Sequence, residues 1–230
     1  MFYLFIQHII NTIGSIDDLI EINSKLINKL EEKINLIFHS NYKLWEQEKT
    51  LGEEFTCLLG GTPSTKKNEY WNGDISWINS GEVNNLRIFK ASKYITRLGL
   101  EKSATKLLPK GTTVIAITGA TLGQVSLLEI ASCANQSVIG ILENEYYKRD
   151  YIYPLLKHII SELTLKQTGG AQQHINKNDV ETFIIKLPNE EEYKKYSQLV
   201  LPLINYQSIL VEENNKLNLL KQQYLKKFFG

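Results

Sequence analysis

Between Arg87 and Lys110 the chain carries Arg87, Lys90, Lys93, Arg97, Lys102, Lys106 and Lys110 against the single acid Glu101, a local charge of +6 in a chain whose formal net charge is +1. Cations this concentrated suit a polyanion, because each phosphate they neutralise releases condensed counterions and makes binding salt-dependent. The competing reading of any charge run is a solvated face. Lys66 and Lys67 add two cations beside a glycine-containing loop, GGTPST at residues 60–65. Other loops offer a second chemistry. Thr62, Ser64 and Thr65, then Asn79, Ser80 and Glu82, then Thr121, and finally Gln172, Gln173, His174 and Asn176 are of the types that hydrogen-bond or make methyl contacts to base edges. Gly169 and Gly170 would let the last of these loops approach a ligand closely. If the loops share one sheet edge with the basic stretch, phosphate contacts would position a duplex and the loops would read it. The candidate DNA contacts are therefore Thr62, Ser64, Thr65, Lys66, Lys67, Asn79, Arg87, Lys90, Lys93, Arg97, Lys102, Lys106, Thr121, Gln172, Gln173 and Asn176.

Catalytic constellations are missing from the sequence. Four histidines, His8, His39, His158 and His174, stand in unrelated contexts, so no Ser-His-Asp or Cys-His grouping can be assembled. None of the five prolines sits in the Asn/Asp-Pro-Pro-aromatic motif of amino-methyltransferases, and no Gly-x-Gly-x-x-Gly opens a helix after a strand. Gly119 and Gly123 bracket a turn that lacks the Gly-Lys-Ser/Thr ending of a phosphate cradle, which leaves a hairpin turn. Glu192-Tyr193-Lys194 matches the end of a nuclease signature but lacks its aspartate and lies in an acidic helix start. Cys57 and Cys133 have no metal-ligand spacing and read as core thiols of a reducing cytoplasm. The chain reads as non-catalytic, with no cofactor or metal of its own.

The elements that must position these residues fall into three parts. Residues 112–118, 124–128 and 137–142 are β-rich runs close enough to make a small sheet, with residues 119–123 as the turn between the first two. Around it, residues 71–74 read as a turn, 75–79 as a short strand, 151–165 as a helix, 167–178 as a polar loop and 180–187 as a final strand. Flanking this centre are two amphipathic stretches. Ile16, Ile20, Asn23, Ile27, Leu30, Ile34 and Ile37 step by four and three, with Ser15 as a plausible cap. Leu203, Tyr206, Leu210, Glu213, Leu217, Leu220 and Tyr224 repeat the spacing after an acidic start at Glu190, Glu191 and Glu192, and Pro202 should kink or restart that helix. The chain is thus expected to be α+β. It comprises an N-terminal spacer helix (1–41), one small globular domain with a mixed sheet (42–188) and a C-terminal spacer helix (189–230). The helices are expected to pair as an antiparallel coiled coil. Packing of both helices on the core, or a parallel pairing between two copies, stays open. MFYLFIQHII at the start is too short and too interrupted for a signal or a membrane span, and reads as a segment packed on a neighbour.

Several ordered motifs resemble one family. They are GGTPST at 60–65, YWNGDISWINSGEV at 70–83, GLEKSATKLLPKGTTVIAITGATLG at 99–123, CANQSVIGI at 133–141, and GGAQQHINKNDV from 169 followed by LP at 187–188. Together they are similar to the target-recognition domain of type I restriction-modification specificity subunits, and SIDDLIEINSKLINKLE at 15–31 resembles that family's helical spacers. The resemblance implies a non-catalytic cytoplasmic subunit that reads one half of a bipartite site in double-stranded DNA. Its helices would dock modification subunits, which methylate adenine with S-adenosylmethionine, and the restriction motor-nuclease would join them. The family's usual subunit has two recognition domains and this chain shows one. A homodimer, pairing with another specificity chain, and an inactive cassette fragment are all open, with the two-fold assembly favoured because it restores the usual pseudo-symmetric design. Outside that family, an adaptor whose helices bind a helical partner is the other reading. The family's shared turn at 119–123 then suits a scaffold, and specificity should lie in the less motif-like loops and in residues 84–106.

Overall fold

The computed structural model describes residues 2–165 and 174–229. The chain divides into two compact units, residues 37–197 and residues 1–36 with 198–230.

The larger unit is built on a five-stranded sheet. Its strands are β2 (Cys57–Leu59), β4 (Arg87–Ile88), β6 (Thr113–Ala116), β7 (Val125–Leu128) and β9 (Val138–Ile141), in the order β2-β9-β6-β7-β4. β7, β6 and β9 lie side by side, the small sheet expected from their runs, and only β4 pairs in parallel. The three central strands are buried at every position, which requires cover on both faces and explains why they read as near-continuous apolar runs rather than alternating ones. On one face Val114, Ala116, Leu128 and Val138 pack with Ile78, Val83, Ile88 and Leu108. The helix α4 (Arg149–Leu165) packs against β6 and β7 and buries Ile152, Leu155, Leu156 and Ile159.

A second, three-stranded sheet has the order β5-β3-β8, with β3 (Trp71–Ile78) between β5 (Lys93–Ile95) and β8 (Cys133–Ala134). Residues 71–74, expected as a turn, belong to β3. Trp71 and Ile75 both pair with Ile95, so the residues between them bulge out of the ladder. The short helix α3 (Arg97–Glu101) follows β5.

β1 (Gln47–Thr50) pairs antiparallel with β10 (Ile184–Leu187), joining the two chain limits of this unit. The capped turns α2 (Leu51–Glu54) and α5 (Lys177–Glu181) adjoin these strands. Residues 180–187, expected as one strand, therefore split into the end of α5 and β10, because the Asn176–Asp179 capping box fixes a helical turn there. An aromatic cluster completes the unit. Trp45, 2 % exposed, meets Phe38, Tyr151 and Tyr196 at ring distances of 5.6, 5.6 and 5.4 Å.

The smaller unit is made of two long helices, α1 (Phe2–Tyr42) and α6 (Glu190–Phe229), whose last and first turns respectively belong to the larger unit. α1 begins well before residue 16. Ser15 is no cap; its hydroxyl donates to the Asn11 carbonyl one turn back at 2.7 Å. α6 starts on a capping box in which the Glu192 amide donates to Asn189 Oδ1 and the Asn189 amide to Glu192 Oε2, and it runs unbroken through Pro202, which lies exposed. The helices pack antiparallel. Lys221 pairs with Asp17 at 2.5 Å, Asn23 donates to Glu213 and Asn214 at 3.1 and 3.0 Å, and Gln207 donates to Glu31 at 2.9 Å.

On α1, Ile16, Asn23, Leu30 and Ile34 are buried, and Ile20, Ile27 and Ile37 are half-buried. On α6 the inward line differs from the expected spacing. Val200, Ile204, Gln207 and Leu210 are buried, Leu203, Asn214, Leu217, Lys221 and Tyr224 are half-buried, and Tyr206 and Leu220 face solvent. The polar residues Gln207, Asn214 and Lys221 take inward places because each finds a partner on α1, which apolar spacing alone does not reveal. Among the described residues no helix is long and apolar enough to cross a membrane.

Candidate nucleic-acid interface

The loop at residues 60–65 leaves β2 pressed against backbone. The Gly60 amide donates to the Val138 carbonyl and the Gly61 amide to that of Ala134, at 2.9 and 2.8 Å. A Cβ on Gly61 would sit 2.6 Å from the Thr105 nitrogen, so only glycine allows the approach. Two indoles then hold the loop: Trp77 Nε1 donates to the Gly61 carbonyl at 3.1 Å and Trp71 Nε1 to the Ser64 carbonyl at 3.2 Å. Thr62 Oγ1 donates to Gln136 Oε1 at 2.5 Å. Thr62, Ser64, Thr65, Lys66 and Lys67 are all exposed on this fixed backbone. Lys67 Nζ donates to the Tyr70 hydroxyl at 3.0 Å, a bond that raises the lysine above its ordinary value.

Beside the loop lies a cleft of about 360 Å³ lined by Thr65, Asn68, Trp71, Asn72, Lys93 and Tyr94. Lys93 stands 5.9 and 6.0 Å from the ring centroids of Trp71 and Trp77, which themselves meet edge to face at 5.2 Å. Thr65 and Lys93 thus share one concavity although 28 positions apart in sequence. The segment after β5 packs on the same side. Thr96 Oγ1 donates to the Glu69 carbonyl at 2.7 Å, and Gly99 is so near Tyr70 that a Cβ would come within 2.5 Å of its carbonyl oxygen.

The basic stretch divides. Lys90, Lys93, Arg97, Lys102 and Lys106 are exposed. Arg97 shares a 3.3 Å contact with the exposed Glu101, a surface pair too weak to withhold the guanidinium from a phosphate. Arg87, expected at a phosphate, is instead enclosed. It is 3 % exposed and bonds Glu129 at 2.6 Å, and Lys110 and Arg149 reach the same carboxylate at 3.6 Å. Burial pulls the Arg87 guanidinium below its ordinary value, and the Glu129 charge opposes that pull. β4 pairs directly with the buried β7, so its side chains are drawn inward.

The remaining polar loops are partly committed to the fold. Asn79 is half-buried and caps the 3-10 turn Ser80–Asn84, its Oδ1 accepting from the Gly81 amide at 2.7 Å. Glu82 accepts from the amides of Asn79 and Ser92 at 2.9 and 2.8 Å. Thr121 is half-buried and donates to the Thr118 carbonyl at 3.3 Å. His174 pairs with Thr118 just past the end of β6, and Asn176 is exposed with its Oδ1 accepting from the Asp179 amide. Gln172 and Gln173, with Gly169 and Gly170, lie outside the described residues. Among the described residues no group of three or more His, Cys, Asp or Glu could hold a metal.

Sequence reasoning missed Asn68, Trp71, Asn72 and Trp77. A signal was present: Trp71, Gly73, Ile75 and Trp77 alternate with polar residues at the period of a strand, but Asn72-Gly73-Asp74 imitates a turn.

The chain matches the family model of the type I restriction modification DNA specificity domain over residues 42–222. It is 30% identical over 158 residues to the specificity subunit of the type I restriction enzyme EcoR124I/EcoR124II of Escherichia coli, covering 66% of this chain and 39% of that one. It is 27% identical over 164 residues to the MjaIX specificity subunit of Methanocaldococcus jannaschii, covering 69% and 37%. The chain therefore spans about two fifths of the length of the curated relatives it matches. Its fold is like that of a type I restriction-modification S subunit from M. genitalium, with a TM-score of 0.70 at 17% identity over 97% of this chain and 60% of that one.

Proposed function

We infer the function from the family to which the chain belongs, that of the type I restriction-modification DNA specificity domain. The globular unit reads one half of a bipartite target in double-stranded DNA. It is non-catalytic, and chooses where adenine methylation falls by docking, through α1 and α6, the modification subunits that hold S-adenosylmethionine. The restriction motor-nuclease joins that assembly in the cytoplasm. A second copy of the chain, or another specificity chain, supplies the other half-site.

One observation carries the reading. The exposed cations Lys66, Lys67, Lys93 and Arg97 stand on segments packed around a loop that two tryptophans hold in place. Such a surface supplies charge for phosphates and fixed polar groups for base edges at the same spot. The test is to combine the chain with a cognate modification subunit and S-adenosylmethionine and to map methylated adenines across random duplexes. A bipartite motif is expected. A symmetric motif identifies two identical readers and an asymmetric one identifies a second specificity chain. Random or absent methylation, with no duplex binding at low salt, overturns the reading.

A further inference from the structure

The register of the strands brings several loops of the larger unit to one sheet edge. β6 runs antiparallel to β7 and β9, and β9 antiparallel to β2, so the turn after β6, the approach to β9 and the loop at residues 60–65 all lie at that edge. β4 pairs with β7 in parallel, Arg87 opposite Leu127, which puts the residues just before β4 at the same edge. The end of β3 arrives there too, where the Asn135 amide donates to the Ile78 carbonyl at 3.0 Å. β5 is antiparallel to β3 with Lys93 opposite Trp77, so Ser92 starts from that edge. Asn84 and Asn85, exposed just before β4, therefore stand with the loop at residues 60–65 and with Ser92 and Lys93 of the cleft.

One residue ties this corner together. The Glu82 carboxylate accepts from the Asn79 amide at 2.9 Å, and from the Ser92 amide and hydroxyl at 2.8 and 3.0 Å. Its carbonyl accepts from the backbone and side-chain amides of Asn85 at 3.1 and 3.0 Å. Glu82 thus fixes both ends of the segment 84–92 against the end of β3. The side-chain bond also sets which way round the Asn85 amide lies, because only its NH2 group can face a carbonyl. Oδ1 and one N–H are left uncommitted among the described residues. Those two groups are the complement of adenine N6 and N7 in the major groove. Asn85 lies between the family motifs at 70–83 and 99–123, where a side chain can differ between readers of different sequences without disturbing the shared scaffold. Glu82 belongs to the first of those motifs, as a holder of the segment should.

We propose that Asn85 is a specificity-determining residue that reads an adenine of the half-site through its N6 and N7, and that Glu82 is the positioning residue that holds the Asn85 amide in place. The inference rests on the DNA-reading function proposed above and deepens it.

The experiment is selection of duplexes from a random pool by the full chain, alone and with a modification subunit, comparing the unsubstituted protein with Asn85→Ala and Glu82→Gln. Binding is then measured to the selected duplex carrying 7-deazaadenine at the position affected. Asn85→Ala should lose preference at one A·T pair by about ten- to a hundredfold, with the rest of the motif and the salt slope unchanged. The deaza base, which lacks the N7 acceptor, should weaken binding of the unsubstituted chain about two- to tenfold and that of Asn85→Ala not at all. Glu82→Gln, whose amide cannot accept all three bonds, should blur the same pair although Asn85 is present, with the salt slope kept. A motif that survives Asn85→Ala unchanged, equal weakening of all sequences by that substitution, or a deaza effect that persists in it overturns the inference alone. Absence of any enriched sequence with the unsubstituted chain under either condition overturns the DNA-reading function and the inference with it.

Discussion

At Glu129 three cations converge on one carboxylate that is almost wholly enclosed, and the nearest, Arg87, is as deeply buried. A buried charge is tolerable only while its partner is present, and removing one member of such a pair costs about 3–5 kcal/mol. Glu129→Gln should therefore lower unfolding free energy by about that amount in denaturant titration, while leaving the exposed cations between Lys90 and Lys106 in place. Exchange of both Arg87 and Glu129 for apolar residues of similar size should recover part of the loss. Cys57 illustrates the same desolvation on a thiol: burial pushes it up to about 12, and Tyr147 likewise rises to about 12. The folded chain then keeps protons that the unfolded chain releases near pH 9 to 10. Their contribution to stability is full below that range and is lost as the pH rises toward about 12. Unfolding followed as a function of pH should show that decline, and a thiol reagent at neutral pH should label Cys57 and Cys133 only after unfolding.

The elements carry their own constraints. The bulge in β3 depends on Gly73, where a Cβ would meet backbone rather than a yielding side chain. Gly73→Ala should cost about 1–3 kcal/mol through forced displacement and should disturb the cleft shared with Lys93, read as weaker duplex binding. In the helix pair, Asn23 at 5 % exposure bonds Asn214 and Glu213. A polar layer of this type fixes register at a cost in stability. Replacing Asn23 and Asn214 together with leucine should raise thermal stability and broaden the range of oligomers seen by light scattering. A single replacement, which strands the other amide, should destabilise.

For the molecule as a whole, affinity for DNA should fall with ionic strength. If the five exposed cations between Lys90 and Lys106 each neutralise a phosphate, the slope of log affinity against log salt should lie near −4 to −5, about 0.9 per contact. Charge reversal at Lys93 and Arg97 should flatten that slope. A slope near zero would leave the cations as a solvated face and remove the electrostatic support for DNA binding.

Periodicity and composition alone determined the α+β plan, the central β7-β6-β9 sheet and the two long helices, because continuous apolar strands and four-three spacing are local patterns that burial enforces residue by residue. The family motifs were legible too, since they are contiguous. Only the tertiary structure decided which charges are free. Arg87 looks like Lys90 in sequence, yet β4 pairs with a buried strand and carries its side chain to Glu129, 42 positions away. The inward line of α6 was hidden for the same reason, since Gln207, Asn214 and Lys221 become interior residues only through partners on α1. The cleft of Thr65, Asn72 and Lys93 is built where residues 65–72 meet residues 92–94, beside close backbone approaches at Gly61, Gly73 and Gly99 that no spacing of residue types encodes.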